Sequence, residues 1–207
     1  IRGRDLGSAA LESQQKIIDE LKLPPGYKIE YAGEFERARQ AGERLLIVVP
    51  VTLALIFCLL YVAFDSAILS ILAMSAVPMA ASVAILILLI SKTNLSISSG
   101  VGIIALFGLS IQNAVIVVSN MKNLIKTNHL DPSEAMRQAA VNKLNAVLIA
   151  ALVAAVGLLP AAFATGIGSQ SQKPFAIVIS CGIIPATILT LLILPALAGC
   201  LKSRKRS

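Results

Sequence analysis

Charge is what most of this chain lacks. Five stretches, Leu45–Phe64, Ser66–Ser91, Thr93–Met121, Leu144–Gln172 and Pro174–Leu201, contain no Asp, Glu, Lys or Arg. A helix rises about 1.5 Å per residue, so roughly 20 apolar residues cross the hydrocarbon core of a bilayer. Every stretch meets that length. The same stretches hold no carboxylate or amine, the groups that proton relays and cation pathways in membranes normally use. Tryptophan is absent and aromatics are 4% of residues, which removes the stacking platform of single-strand nucleic-acid binding. The three cysteines, Cys58, Cys181 and Cys200, all lie in apolar stretches. With no CxxC and no Cys/His pairing, neither a disulfide framework nor a zinc site is indicated, and they read as small packing residues. No HExxH, GxSxG, P-loop or Rossmann glycine pattern occurs, so no enzyme is expected. No catalytic, cofactor-binding or metal-ligating residue is assigned.

What the chain has is a polytopic pattern. It is 57% hydrophobic and 14% charged, against about 25% charged for soluble domains. The composition predicts a mainly α fold, a membrane bundle of five transmembrane helices over 45–201. The spans fall at about 45–64, 67–90, 98–121, 146–164 and 175–201. The net charge of +7 has a location. Eight of the 18 Lys and Arg precede Leu45, where eight of the 11 acidic residues also lie. The excess sits at Lys122, Lys126, Arg137 and Lys143, and at Lys202, Arg204, Lys205 and Arg206 in a basic tail, 202–207. On one side of the membrane the short loops and tail carry eight Lys and Arg, and on the other only Lys92 and Lys173. The positive-inside rule then places the C-terminus in the cytoplasm and the N-terminal segment outside, in the periplasm of a bacterial cell. This accounts for the basic residues without nucleic acid as a partner.

Before the first span the pattern changes. Asp5 can cap a helix carrying Ala10, Ile17, Ile18 and Leu21, and Pro24-Pro25-Gly26 stops it. Tyr27, Ile29 and Tyr31 alternate with Lys28 and Glu30 as a strand. With Ile1–Arg4 as the tail of an earlier strand, residues 1–33 read as an incomplete βαβ piece, too small for a core of its own. Residues 34–44 form a charged connecting helix. The first residues are polar and no initiator Met is present, so the chain reads as a fragment of a larger polypeptide, its upstream part missing. In the loop after the third span, Asp131-Pro132-Ser133-Glu134 is a helix start, predicting a short helix over 131–140.

Gln112 and Asn113 are the most polar side chains deep in any span. They either line an ion or proton route or make an interhelical hydrogen bond, worth about 0.6–2 kcal/mol. Pro50, Pro78, Pro160, Pro185 and Pro195 lie in spans and predict kinks. Ala150, Ala151, Ala154, Ala155 and Gly157 form a small-residue surface for close helix packing. Met74 and Met79 read as packing residues, and His129 as a solvated loop residue.

Three sets of residues bring a family into view. Arg2-Gly3-Arg4-Asp5-Leu6-Gly7, Leu23-Pro24-Pro25-Gly26-Tyr27 and Gly33-Glu34-Phe35-Glu36 resemble the end of the second porter domain in the heavy-metal efflux branch of the RND (resistance–nodulation–division) superfamily. Gly100-Val101-Gly102-Ile103-Ile104-Ala105-Leu106-Phe107-Gly108 is similar to its antepenultimate span. Leu159-Pro160, Ala164-Thr165-Gly166-Ile167-Gly168-Ser169 and Leu194-Pro195-Ala196-Leu197 are similar to its last two. The resemblance covers essentially the whole chain. It implies the last five of twelve spans of a proton-driven inner-membrane antiporter, of the cobalt-zinc-cadmium or copper-silver cation efflux type. The implied assembly is a homotrimer that passes cations from periplasmic porter domains to an adaptor and an outer-membrane channel. The family's essential carboxylates and metal-binding residues lie upstream. Some relatives carry a carboxylate at the position of Gln112 and a lysine near Val147. This sequence has neither, which resembles divalent-cation members more than copper and silver exporters, and leaves Gln112 and Asn113 as supporting polar residues. Two alternatives share the architecture: a drug or solute exporter, and a non-transporting assembly or protein-export module.

Overall fold

The computed structural model describes residues 34–91, 96–166 and 169–204. The chain divides into two compact units, residues 1–50 and 51–207. The βαβ piece expected over 1–33 lies outside the described residues. Six helices follow in order: α1 Glu34–Phe64, α2 Ala67–Met74, α3 Ala76–Ile90, α4 Ile97–Asn128, α5 Pro132–Phe163 and α6 Ser169–Arg204. They contain five segments long and apolar enough to cross a membrane: Leu46–Phe64, Ala67–Ile90, Ser98–Asn128, Pro132–Phe163 and Gln172–Gly199.

Local chemistry explains where these helices start and stop. Ser96 caps α4: its Oγ accepts from the Ser99 backbone N–H at 3.2 Å, and its own N–H donates to Ser99 Oγ at 2.7 Å. This reciprocal box satisfies two donors that the first turn leaves orphaned. At the other end His129 adopts a left-handed conformation, φ 52°, and stops the helix. Asp131 takes the cap position of α5, with Pro132 first in the helix and Glu134 in its first turn, as the sequence motif predicts. That helix does not end near 140. It runs unbroken for 32 residues to Phe163, about 48 Å at helical rise, because nothing between the loop segment and the apolar run interrupts it.

Of the five prolines expected to kink spans, Pro78 goes with a break. The second span divides into α2 and α3 at Ser75. Proline removes its own N–H bond and crowds the carbonyl four residues back, here Met74, the last residue of α2. Ser75 repairs the junction, its N–H donating to Ile71 O and its Oγ to Leu72 O at 2.6 Å. Pro50, Pro160, Pro185 and Pro195 sit inside unbroken helices.

In the 51–207 unit, α6 is the central element, packed against α2, α3, α4 and α5. Two apolar clusters fill the core. One joins Leu60 and Phe64 of α1, Leu72 and Ala73, Val117 and Met121 of α4, Met136 and Ala139 of α5, and Leu191 and Leu194 of α6. The other joins Ala80, Val83 and Leu88 of α3, Leu106 of α4, Ala151 and Ala155 of α5, and Val178, Ile183 and Ala186 of α6.

The alanine-rich surface of α5 is narrower than its composition suggests. Ala151 and Ala155 are buried, in line with Val147 at four-residue spacing, while Ala150 and Gly157 face outward. A Cβ added at Gly157 meets nothing within 4 Å. Small size permits close packing, but only the helix phase decides which small residues use it.

Candidate functional site

The helices α4 and α6 run side by side in the same direction, and a glycine on each marks a tight contact. A Cβ at Gly102 would stand 3.1 Å from Phe175 O and 3.2 Å from its Cα, so here one helix backbone lies against the other. Further along, Gly182 of α6 faces Leu106 of α4, its imagined Cβ 3.0 Å from a leucine methyl. Beyond that comes a polar layer. Asn113 Nδ2 donates to Thr187 Oγ1 at 3.0 Å, a buried bond between α4 and α6. One turn earlier on α4, Ser110 is equally buried. In sequence the layer falls between the residues of the two apolar clusters: Leu106 before it and Ile111 and Ala114 beside it on α4, Ile183 and Ala186 before it and Leu191 after it on α6.

Gln112 and Asn113 are therefore not a pair. Adjacent residues on a helix point about 100° apart. Asn113 faces α6 and is 5% exposed, whereas Gln112 is exposed on the far side of α4. Gln112 shares that side with Val101, Gly108 and Ser119, all exposed at spacings of seven, four and seven. Thr187 was not singled out from the sequence. The signal was its spacing, since Ile183, Thr187, Thr190 and Leu194 recur at i, i+4, i+7 and i+11, one helix face.

A second polar contact ties α1 to α4. Lys122 Nζ donates to Phe64 O at 2.6 Å. Asp65, left-handed at φ 52°, ends α1 there, and a cation suits the carbonyls that a helix C-terminus leaves exposed. On the first turns of α5, Arg137 forms a forked ion pair with Glu134, at 2.7 and 3.0 Å, and Gln138 also donates to that carboxylate. Among the described residues no group of three His, Cys, Asp or Glu is placed to hold a metal. Cys58 and Cys181 are free thiols on exposed helix surfaces, so they do not pack in the core as the sequence suggested. Met74 does pack, against the cluster that contains Phe64.

Residues 1–201 match the AcrB/AcrD/AcrF family. The chain is 39% identical over 206 residues to the nickel-cobalt-cadmium resistance protein NccA of Alcaligenes xylosoxydans xylosoxydans, covering all of this chain and 19% of that protein. It is 40% identical over 197 residues to the cobalt-zinc-cadmium resistance protein CzcA of Cupriavidus metallidurans, covering 95% of this chain and 18% of the relative. A crystal structure of a heavy metal efflux pump superposes with a TM-score of 0.80 at 38% identity, over 98% of this chain and 20% of that one. The chain thus spans about a fifth of the length of the proteins it matches.

Proposed function

This chain belongs to the AcrB/AcrD/AcrF family, and on that premise we propose that it forms the C-terminal membrane part of a proton-driven pump exporting heavy-metal cations. The observation that carries the reading is the 39–40% identity, along nearly the whole chain, to proteins named for resistance to nickel, cobalt, zinc and cadmium. All four are divalent in water, which favours divalent cargo. The likeness to a heavy metal efflux pump at a TM-score of 0.80 supports the same fold and the same arrangement of spans.

In this reading residues 45–201 are the transmembrane domain in the bacterial inner membrane. Residues 1–33 close a periplasmic porter domain, 34–44 connect the two, and 202–207 are a cytoplasmic tail. The loop-charge bias supports that orientation. The five uncharged stretches hold no carboxylate, imidazole or amine, the groups that carry protons through membranes. The proton carrier therefore belongs to another part of the pump. Gln112, exposed on α4, is the amide able to meet it, and Asn113 holds α4 in place from behind. The working assembly is a homotrimer with a periplasmic adaptor and an outer-membrane channel.

The test is growth of a strain lacking the transporter, with the complete gene or these 207 residues restored. The complete gene is expected to restore tolerance to nickel, cobalt, zinc or cadmium, and the 207 residues alone are not. Restored tolerance to drugs but to none of these metals overturns the cargo assignment. Orientation is read separately: a cysteine replacing Ser203, in a background without Cys58, Cys181 and Cys200, should resist impermeant reagents added from the periplasm.

A further inference from the structure

Buried hydroxyls in these helices follow one habit, and two of them break it. Ser70 donates to Ser66 O, Ser180 to Ala176 O and Thr190 to Ala186 O, each one turn back along its own helix. Ser99 is occupied in the capping box of α4. This back-bonding is how a membrane helix hides a hydroxyl without an outside partner. Ser110 and Thr187 do otherwise. Ser110 Oγ has no hydrogen-bond partner among the protein atoms although the residue is 1% exposed. Thr187, also 1% exposed, uses its oxygen to accept from Asn113 on the neighbouring helix. The two exceptions stand on neighbouring helices: Ser110 one turn before Asn113 on α4, and Thr187 bonded to Asn113 from α6. They occupy the polar layer between the two apolar clusters.

We propose that Ser110, Asn113 and Thr187 form an internal hydration site between α4 and α6, holding one or two water molecules that bridge Ser110 to the Asn113–Thr187 pair. The chemistry selects water over other small ligands. An isolated hydroxyl in an apolar core costs free energy unless it is bonded, and buried waters typically make about three bonds to such groups. The groups here supply both kinds of contact: hydroxyls that donate or accept, and a carboxamide oxygen that accepts. No carboxylate, imidazole or thiolate is among them. A divalent cation would have to shed its hydration shell for neutral oxygens alone, which does not compensate its loss. The site joins the two helices at mid-core through a bridge that can shift by rotating a water, about two turns along α4 from the backbone contact at Gly102.

Two measurements on the protein in lipid nanodiscs test this. In a density map that resolves ordered water, a peak is expected within about 3 Å of Ser110 Oγ and of either Asn113 or Thr187. Ser110 donating to Leu106 O with no such peak overturns the proposal. A peak about 2.0–2.6 Å from several oxygens also overturns it, because that distance marks a cation. The second measurement is a thermal cycle of Ser110→Ala, Thr187→Val and the double variant. A bridged site predicts that Ser110→Ala lowers the midpoint by ~2–4 °C, and that the double variant falls by less than the two single shifts together. Ser110→Ala that leaves the midpoint unchanged or raises it, or strictly additive shifts, shows a solitary hydroxyl and no bridge.

Discussion

The helices α1 and α6 are nearly alike in apolar content and opposite in what they do with it. Val51, Leu55, Leu59 and Val62 of α1 all face outward, Val62 at 79% exposure. Helix α6 turns Ala176, Val178, Ile179, Ser180, Ile183, Ala186, Thr187, Thr190, Leu191, Leu194 and Ala198 inward. In water the larger apolar side chains would be the ones hidden. In a bilayer, lipid tails are as apolar as leucine, so burying leucine gains little, and helices associate through close packing and interhelical hydrogen bonds. Helix α6 intersperses small and hydroxyl residues, Ala176, Ser180, Gly182, Ala186, Thr187 and Thr190, among its buried aliphatics and can be approached closely; α1 has few of them after Pro50. The second half of α1 joins the core on one side, through Leu53, Ile56, Leu60, Phe64 and the Lys122 contact to Phe64 O.

The sharpest way to break that comparison is at the backbone contact of Gly102 with Phe175. Gly102→Val should cost the most, ~3 kcal/mol or more, because its Cβ meets main-chain atoms that cannot swing aside. The matched control Gly157→Val, on the open side of α5, should leave the thermal midpoint in nanodiscs near wild type. Equal loss in both would mean that α4 and α6 are not in backbone contact.

Next in size comes the phase of α5. Ala151→Leu and Ala155→Leu should each lower stability by ~1–3 kcal/mol through overpacking, and Ala150→Leu by under about 0.5. The reverse order would rotate the helix relative to its neighbours. Composition marked the alanines as a packing surface but could not say which of them turn inward. Alanines at 150, 151, 154 and 155 cover more than one side of a helix, and the choice depends on where α4 and α6 lie.

A smaller effect is expected at the polar layer. Asn113→Leu should cost ~0.6–1.7 kcal/mol, the range of interhelical hydrogen bonds in membranes. Gln112→Leu should not lower stability in this bundle, because Gln112 makes no buried bond within it. In the pump proposed above, Gln112→Leu should instead be read in transport rate at unchanged fold. If Gln112→Leu destabilises more than Asn113→Leu, the assignment of faces on α4 is wrong. The smallest effect belongs to α1. Leu55→Ala and Val62→Ala should shift stability by less than about 0.5 kcal/mol, since these side chains face outward and would meet lipid whether or not the helices pack. A loss typical of a core leucine would reveal a partner surface on α1.

Several features were legible from residues alone because their causes are local. The uncharged runs place the five spans, since a charge in hydrocarbon is costly wherever the neighbours sit. Asp131-Pro132 starts α5, because proline's fixed φ and missing N–H suit the first helical position whatever lies elsewhere. The break at Ser75 was not among them: five prolines in spans looked alike, and only at Pro78 does the helix divide. The resemblance in residues 1–7, 100–108 and 159–169 did point to the family that residues 1–201 match. What only the tertiary structure decided is which side of each helix faces another helix. It separated Gln112 from Asn113, joined Asn113 to Thr187 across 74 positions of sequence, and chose Ala151 and Ala155 over Ala150 and Gly157. The physical reason is that a bilayer gives nearly every apolar face a tolerable surrounding. The rotation of a membrane helix is therefore set by how closely its small and polar residues can meet those of its neighbours, a property of pairs of helices and of neither sequence segment alone.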